Sequence, residues 1–243
     1  MKLISLGLLW LCLSLSVAAQ QARLVQRIFT VTAQELNSAN DLTREFQAVR
    51  QARREKRDRL TWRAWQIITG PRVGGITCGA FGREWEDFNF EDLDNDVTST
   101  LPDYFSAAKF EDNGFYLARP LLGRNLIWEE ANPPSFAEVR YYRVAPGKEN
   151  AFEALLIRAK EAYSQTRQPR SYAVYRLSNG GPQTDFVLWI PLEKLSDIQN
   201  PDRGITAILD AVIANENGVA GIIQRTGSEL LRYRADLTYI PSP

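Results

Sequence analysis

The segment EVRYYRVAPGKENAFEALL, residues 138–156, changes its period in the middle. Residues 139–144 read as a strand, Pro146-Gly147 breaks it, and beyond Lys148 the apolar residues return at helical spacing. Phe152, Leu155, Leu156, Ala159 and Tyr163 fall at offsets of zero, three, four, seven and eleven, one stripe of a helix. SYAVYRL (171–177) then reads as a strand and SNGGPQ as a turn. DFVLWI (185–190) is apolar enough for a strand buried on both faces. Ile205, Ile208, Leu209, Val212 and Ile213 mark a second helix, and ELLRYRADLTYI (229–240) a final strand. The order βαββαβ is that of the split βαβ, or ferredoxin-like, unit.

The first half reads the same way. RIFTVTA (27–33) predicts a strand, and residues 39–60 a long helix with Leu42, Phe46 and Val49 on its apolar stripe. WRAWQII (62–68), the turn GPRVGG and a strand from ITCGAF to Trp85 follow. LPDYFSAAKF (101–110) predicts a helix and RNLIWEE (124–130) the last strand. Aromatics coincide between the copies: Trp62 and Trp65 correspond to Tyr172 and Tyr175, both 110 positions on, and Trp85 to Trp189, 104 on. EEANPPSF (129–136), stiffened by Pro133-Pro134, predicts the linker. A four-stranded sheet with helices on one face leaves the other bare, and a second copy in the same chain is the nearest cover. The expected architecture is therefore α+β, two tandem ferredoxin-like βαββαβ units packed sheet to sheet. The first unit would span residues 20–132 and the second 133–243.

Residues 1–19 fall outside both units. Met1-Lys2 precedes an apolar run over residues 3–17, and Val17-Ala18-Ala19 has the small residues of a cleavage site before Gln20. This is the pattern of a secretory signal peptide, which predicts an exported protein, periplasmic or secreted, with no stable membrane insertion after cleavage. The run is shorter than the roughly 20 residues that span a bilayer. Cys12 lies inside it without the small residues that precede a lipidation site, so the mature chain would keep only Cys78, and no internal disulfide.

Composition excludes several chemistries. The 29 basic and 29 acidic residues balance, so overall charge gives no pull toward nucleic acid. There is no histidine, which excludes His-ligated haem, Ser-His-Asp triads and His-containing zinc sites. Two cysteines are too few for four-cysteine clusters. No cofactor and no metal are expected.

The strand, the Pro-Gly-Lys break, the amphipathic helix and the ending YRADLTYIPSP resemble the dimeric α/β-barrel superfamily. The nearest likeness is to NIPSNAP-like and antibiotic-biosynthesis-monooxygenase-like domains, strongest over residues 138–243. The resemblance implies a fold of two tandem ferredoxin-like units packed sheet to sheet as a pseudo-dimeric α/β barrel. Members that depend on a histidine, or bind haem through one, have a requirement this chain does not meet.

Strand alternation gives candidate site residues. Trp62, Gln66, Tyr172 and Arg176 share equivalent faces in the two second strands and are expected to point into the space between sheets, as a ligand-binding set. The alternative is a polar inter-sheet core in which they satisfy each other. Trp65, Ile67, Tyr175 and Leu177 are expected under helices. Gly74, Gly75, Cys78 and Gly79 read as hairpin and strand positions, or as room for a ligand. Asp92, Asp94 and Asp96 open like a calcium loop, but Val97 and Asp103 stand where an EF-hand needs Gly and Glu. RQARREKRDR (50–59) reads as a solvated helix face. Three functions stay open: binding of a small ligand between sheets, a cofactor-free monooxygenase-like enzyme, and a non-catalytic interaction or assembly protein. Self-association into a homo-oligomer is also open.

Overall fold

The computed structural model describes residues 24–33, 39–88, 101–105, 108–124, 133–166, 170–198, 204–215 and 221–242. Eight strands form one closed barrel: β1 (Val25–Ala33), β2 (Arg63–Thr69), β3 (Ile76–Arg83), β4 (Ala108–Ala118), β5 (Phe136–Val144), β6 (Ala173–Asn179), β7 (Asp185–Leu192) and β8 (Ile223–Tyr233). Around the barrel the order is β1-β3-β2-β8-β5-β7-β6-β4, and β4 returns to β1. All neighbouring pairs are antiparallel. Helices α1 (Ala39–Glu55), the one-turn α2 (Leu101–Tyr104), α3 (Glu149–Ser164) and α4 (Ile205–Ala214), with short 3-10 turns at Trp85–Phe88 and Leu195–Ile198, complete the described elements.

This corrects the expected fold class. Two ferredoxin-like units stacked face to face would leave a gap between two sheets and four free edges. Instead the edges join: β2 pairs with β8, for example Gln66 with Arg232, and β4 pairs with β6, for example Leu117 with Arg176. Closure satisfies the backbone donors and acceptors that free edge strands would expose.

Local chemistry accounts for the second half well. Pro146-Gly147 forms a turn in which the Lys148 amide donates to the Ala145 carbonyl at 3.0 Å, and Gly147 takes the positive φ of +78°. The α3 stripe Phe152, Leu155, Leu156, Ala159 and Tyr163 is buried as predicted. The first half departs further. The segment read as one helix over residues 101–110 is a single turn that gives way to β4, and most of the strand predicted at 124–130 lies outside the described residues. Likewise β8 begins at Ile223, and residues 234–242 form a tail that crosses back to β2.

The core has three compartments. One lies outside the barrel under α3 and α4, with Tyr172, Val174, Phe186 and Leu188 turned toward those helices. A second lies outside under α1, where Phe29, Trp62, Ala64 and Cys78 meet Leu42, Phe46 and Val49. The third is the lumen, to which all eight strands contribute: Ile28, Trp65, Ile67, Phe81, Tyr116, Val139, Tyr175, Leu177, Val187, Trp189 and Leu231. Trp65 is edge-on to Trp189, with ring centroids 5.1 Å apart, and to Phe81 at 5.4 Å, so aromatic rings plug the middle of the barrel.

Candidate functional site

At one end of the barrel the aromatic plug gives way to polar side chains around a cavity of about 420 Å³. The β2–β3 turn supplies Arg72, β4 supplies Glu111, Asp112 and Tyr116, and β5 supplies Tyr141 and Arg143. Asp185 and Val187 come from β7, and Arg225, Gly227 and Glu229 from β8. On β5 the residues Val139, Tyr141 and Arg143 share one face by alternation, so the apolar lumen continues outward into a phenol and then a guanidinium. On β8 the same logic links Leu231, Glu229 and Gly227.

Arg72 organises this end. Its Nε donates to Glu229 Oε1 at 2.8 Å and its Nη2 to Glu229 Oε2 at 2.7 Å, a bidentate pair. Nη2 also donates to the Tyr141 hydroxyl at 2.7 Å, and Nη1 pairs with Asp112. The Tyr141 hydroxyl donates onward to Glu229 Oε2 at 3.0 Å. The turn can place Arg72 here because Gly70 adopts φ +98° and passes close to β8: a Cβ there would lie 2.7 Å from the Ser228 carbonyl oxygen and 2.8 Å from Glu229 Cγ. A second pair stands beside the first, with Arg143 Nε and Nη2 each donating to Asp185 at 2.8 Å.

The electrostatics follow from this wiring. Burial works against the Arg72 charge, but hydrogen bonding to Glu229 and the nearby Tyr141 and Asp112 hold its pKa above the ordinary arginine value. Burial lifts the Tyr141 phenol well above its usual range against the pull of Arg72, with Glu229 and Asp112 adding to the rise. Burial, then Asp112, raises Tyr116 in the same direction. Both phenols are therefore neutral hydrogen-bonding groups at ordinary pH. Arg143 is held above its usual value by its hydrogen bonds to Asp185. The site offers guanidinium donors, carboxylate acceptors and two phenols, and no group of metal-ligating residues occurs among the described residues. An imidazole-held haem does not fit this chain, which has no histidine to hold it.

The residues singled out from sequence lie elsewhere. Trp62 is buried outside the barrel under α1, stacked by the Arg53 guanidinium at 3.9 Å and donating from Nε1 to Asp58 at 2.9 Å. Tyr172 is buried under α3 and donates to the Leu122 carbonyl at 3.1 Å. Gln66 accepts from Arg232 at 2.7 Å across the β2–β8 seam. Arg176 donates to the Gln183 carbonyl at 2.8 Å, lies 3.8 Å from Glu149 and sits over the Phe186 ring. The four are not brought together, and the expected strand faces are reversed: Trp65, Ile67, Tyr175 and Leu177 point into the lumen. Here helices cover the outer faces of β2 and β6 at Ala64 and Val174, and the lumen at this level is filled by apolar rings.

Other sequence signals resolve as structure. Cys78 packs beneath α1 and Gly75 lies against the Val31 backbone, where a Cβ would stand 2.9 Å from its carbonyl oxygen. Asp92, Asp94 and Asp96 lie outside the described residues. Within the basic run, Arg53 is buried and paired with Asp58 rather than solvated. Of the residues that sequence reading missed, Glu229, Tyr141 and Arg143 had one signal in common: each is polar where an inward-facing apolar alternation gives out, whereas Arg72 lies in the β2–β3 turn. Reading that signal requires knowing which face is inward.

No family model matches the sequence, and the search of curated proteins finds no match. Solved structures do match. An anthrone oxidase-like protein aligns over 88% of this chain and 93% of its own, with a TM-score of 0.59 and 11% identity. A candidate monooxygenase from Fusobacterium nucleatum aligns over 87% and 93%, with a TM-score of 0.57 and 9% identity. A mutant chlorite dismutase from Candidatus Nitrospira defluvii, in complex with cyanide, aligns over 89% and 92%, with a TM-score of 0.57 and 10% identity. At such identities the likeness establishes a shared barrel fold and leaves the site to be argued from its own residues.

Proposed function

We propose that the chain is an exported barrel protein that binds a small, partly polar molecule at the open end of its barrel. The observation that carries this reading is the cavity bounded by Arg72, Asp112, Tyr116, Tyr141, Arg143 and Glu229, next to a lumen otherwise filled by aromatic rings. A cavity of about 420 Å³ is the size of a small-molecule site, and converging polar groups over an apolar floor give orientation and specificity. An assembly protein would need the filled lumen but not this polar end. Export after cleavage before Gln20, division near residue 132 and the NIPSNAP-like affinity of the second half belong to the same proposal. The test is native mass spectrometry of protein isolated from its own host. A small molecule should co-purify and be lost in Tyr116→Trp, which fills the cavity; wild-type protein that carries nothing and shows no thermal shift with any small polar aromatic compound refutes the reading.

A second reading, a cofactor-free monooxygenase-like enzyme, is favoured by fold neighbours that include an anthrone oxidase-like protein and a candidate monooxygenase. Without histidine its base would be a carboxylate or a tyrosine; burial raises the Tyr116 and Tyr141 phenols, and Asp112, the more exposed partner of Arg72, is the available carboxylate. Oxygen uptake with polycyclic phenols that disappears in Asp112→Asn supports this reading; no uptake by the intact protein removes it.

A further inference from the structure

At the rim of the cavity three charged residues form one row across three strands. Arg143 on β5 is the direct register partner of Asp185 on β7 and of Arg225 on β8. Two guanidinium-bearing residues directly opposite each other on antiparallel strands repel. A single carboxylate answers them, and it is committed: Asp185 takes the Nε and Nη2 donors of Arg143, both at 2.8 Å. The Arg225 guanidinium has no hydrogen bond or ion pair among the described residues, and Arg225 lines the cavity. Deeper in, Asp112 and Glu229 are both engaged by Arg72, so neither turns to Arg225. Tyr116 lines the same cavity, and its hydroxyl has no partner among the described residues. The Val187 side chain and the Tyr141 ring supply an apolar wall between these groups.

We infer that the missing partner is the ligand's own negative charge: the cavity takes an aromatic or alicyclic carboxylate, its anionic group on Arg225 beside Arg143 and its ring against Val187 and Tyr141. This rests on the cavity being a binding site and adds the class of its ligand. A carboxylate presents two oxygens to a guanidinium fork, and a charge-assisted contact is stronger than a neutral one. The spare cation at the rim and the free phenol deeper in the cavity provide the two points of polar contact that fix a flat acid in one orientation.

The probes are benzoate and its neutral isostere benzamide, titrated into the full mature chain by calorimetry at low salt. Benzoate should bind about tenfold more tightly than benzamide. Arg225→Gln should reduce benzoate to the benzamide level, with the thermal midpoint unchanged or slightly raised, because Arg225 is exposed and its repulsion with Arg143 is relieved. Equal binding of the two probes by the intact protein, or undiminished benzoate binding by Arg225→Gln, overturns the anionic class while leaving the cavity a binding site. If neither probe binds but a neutral molecule co-purifies from the host, the ligand class is wrong and the binding reading stands. If neither probe binds and nothing co-purifies, both are wrong.

Discussion

Arg72 and Glu229 meet through two parallel hydrogen bonds of 2.8 and 2.7 Å, tying the β2–β3 turn to β8 across the barrel mouth. Glu229 has a side chain only 1% exposed, and Arg72 and the Tyr141 hydroxyl are its hydrogen-bond donors. Arg72→Met should therefore destabilise the fold by about 3–5 kcal/mol, by stranding a buried carboxylate. Arg72→Met combined with Glu229→Leu should recover most of that loss. Denaturant midpoints of the two single variants and the double variant measure the coupling, and additive effects would show that the pair is not a unit.

Arg176 sits outside the barrel on β6, held by a backbone carbonyl of the β6–β7 turn and by a long contact to Glu149. Arg176→Leu should change stability by no more than about 1 kcal/mol, as for other solvated pairs. It should leave small-molecule binding at the barrel mouth untouched. Trp189→Ala, in contrast, removes a ring from the centre of the lumen and should cost about 3–5 kcal/mol. Parallel thermal melts of the two variants decide which face of the strands is inward.

Cys78 is pushed up to about 12 by burial, with Arg53 opposing, against an ordinary value of 9.0. The native thiol should resist a disulfide reagent at pH ~8 and react at once in denaturant. The sign for stability follows from linkage. A folded-state pKa above the unfolded one means that the unfolded thiol loses its proton first. The contribution is thus complete below about 9 and is lost as pH climbs toward about 12. Tyr116, Tyr141 and Tyr172, all raised mainly by burial, act with the same sign above 10.0, their ordinary value. Chemical denaturation at a series of alkaline pH values should show a midpoint falling continuously, and a flat profile would contradict the burial of these groups.

The tail after β8 is clasped to β2. Trp62 and Tyr239 exchange two backbone hydrogen bonds of 2.9 Å, and the Tyr239 hydroxyl donates to the Asp58 carbonyl at 2.7 Å. Tyr239→Phe should cost about 0.5–1.5 kcal/mol, the worth of one hydrogen bond. Asp58→Ala should cost more, because it removes the ion pair with buried Arg53 and the acceptor of the Trp62 Nε1 and Leu60 amide donors. Equilibrium unfolding of both variants gives the ranking, and a larger loss from Tyr239→Phe would reverse it.

Much of the secondary structure was legible because its signals are local. The α3 stripe and the Pro146-Gly147 break depend on spacing and on backbone stereochemistry, which a sequence shows directly. Residues 101–110 failed because an apolar, aromatic stretch of that length suits either a helix or a strand, and pairing of β4 with β1 and β6 decides the matter from a distance. The candidate site failed for a related reason. Gln66 and Arg176 look like pocket residues if polar faces point inward. Here the inward face is Trp65, Tyr175 and Trp189, and the polar residues that matter come from where the strands run out. Arg72 was hidden in a turn whose glycines announce its shape but not its destination.

The seam between β2 and β8 joins residues far apart in the chain, with the Leu230 amide donating to Thr69 Oγ1 across 161 positions. While the ribosome is still making the second half, β2 has no β8 to pair with and β4 has no β6. The nascent first half therefore carries two unsatisfied margins, each a template for pairing with another chain. Closing them brings distant segments together against chain entropy, which places this step late and makes it slow. The period of greatest exposure to misassembly is set by the time needed to synthesise residues 119–233, and cellular holding factors would act in that interval. Fragments cut between the halves prolong the same condition indefinitely and should accumulate as oligomers joined through those two margins.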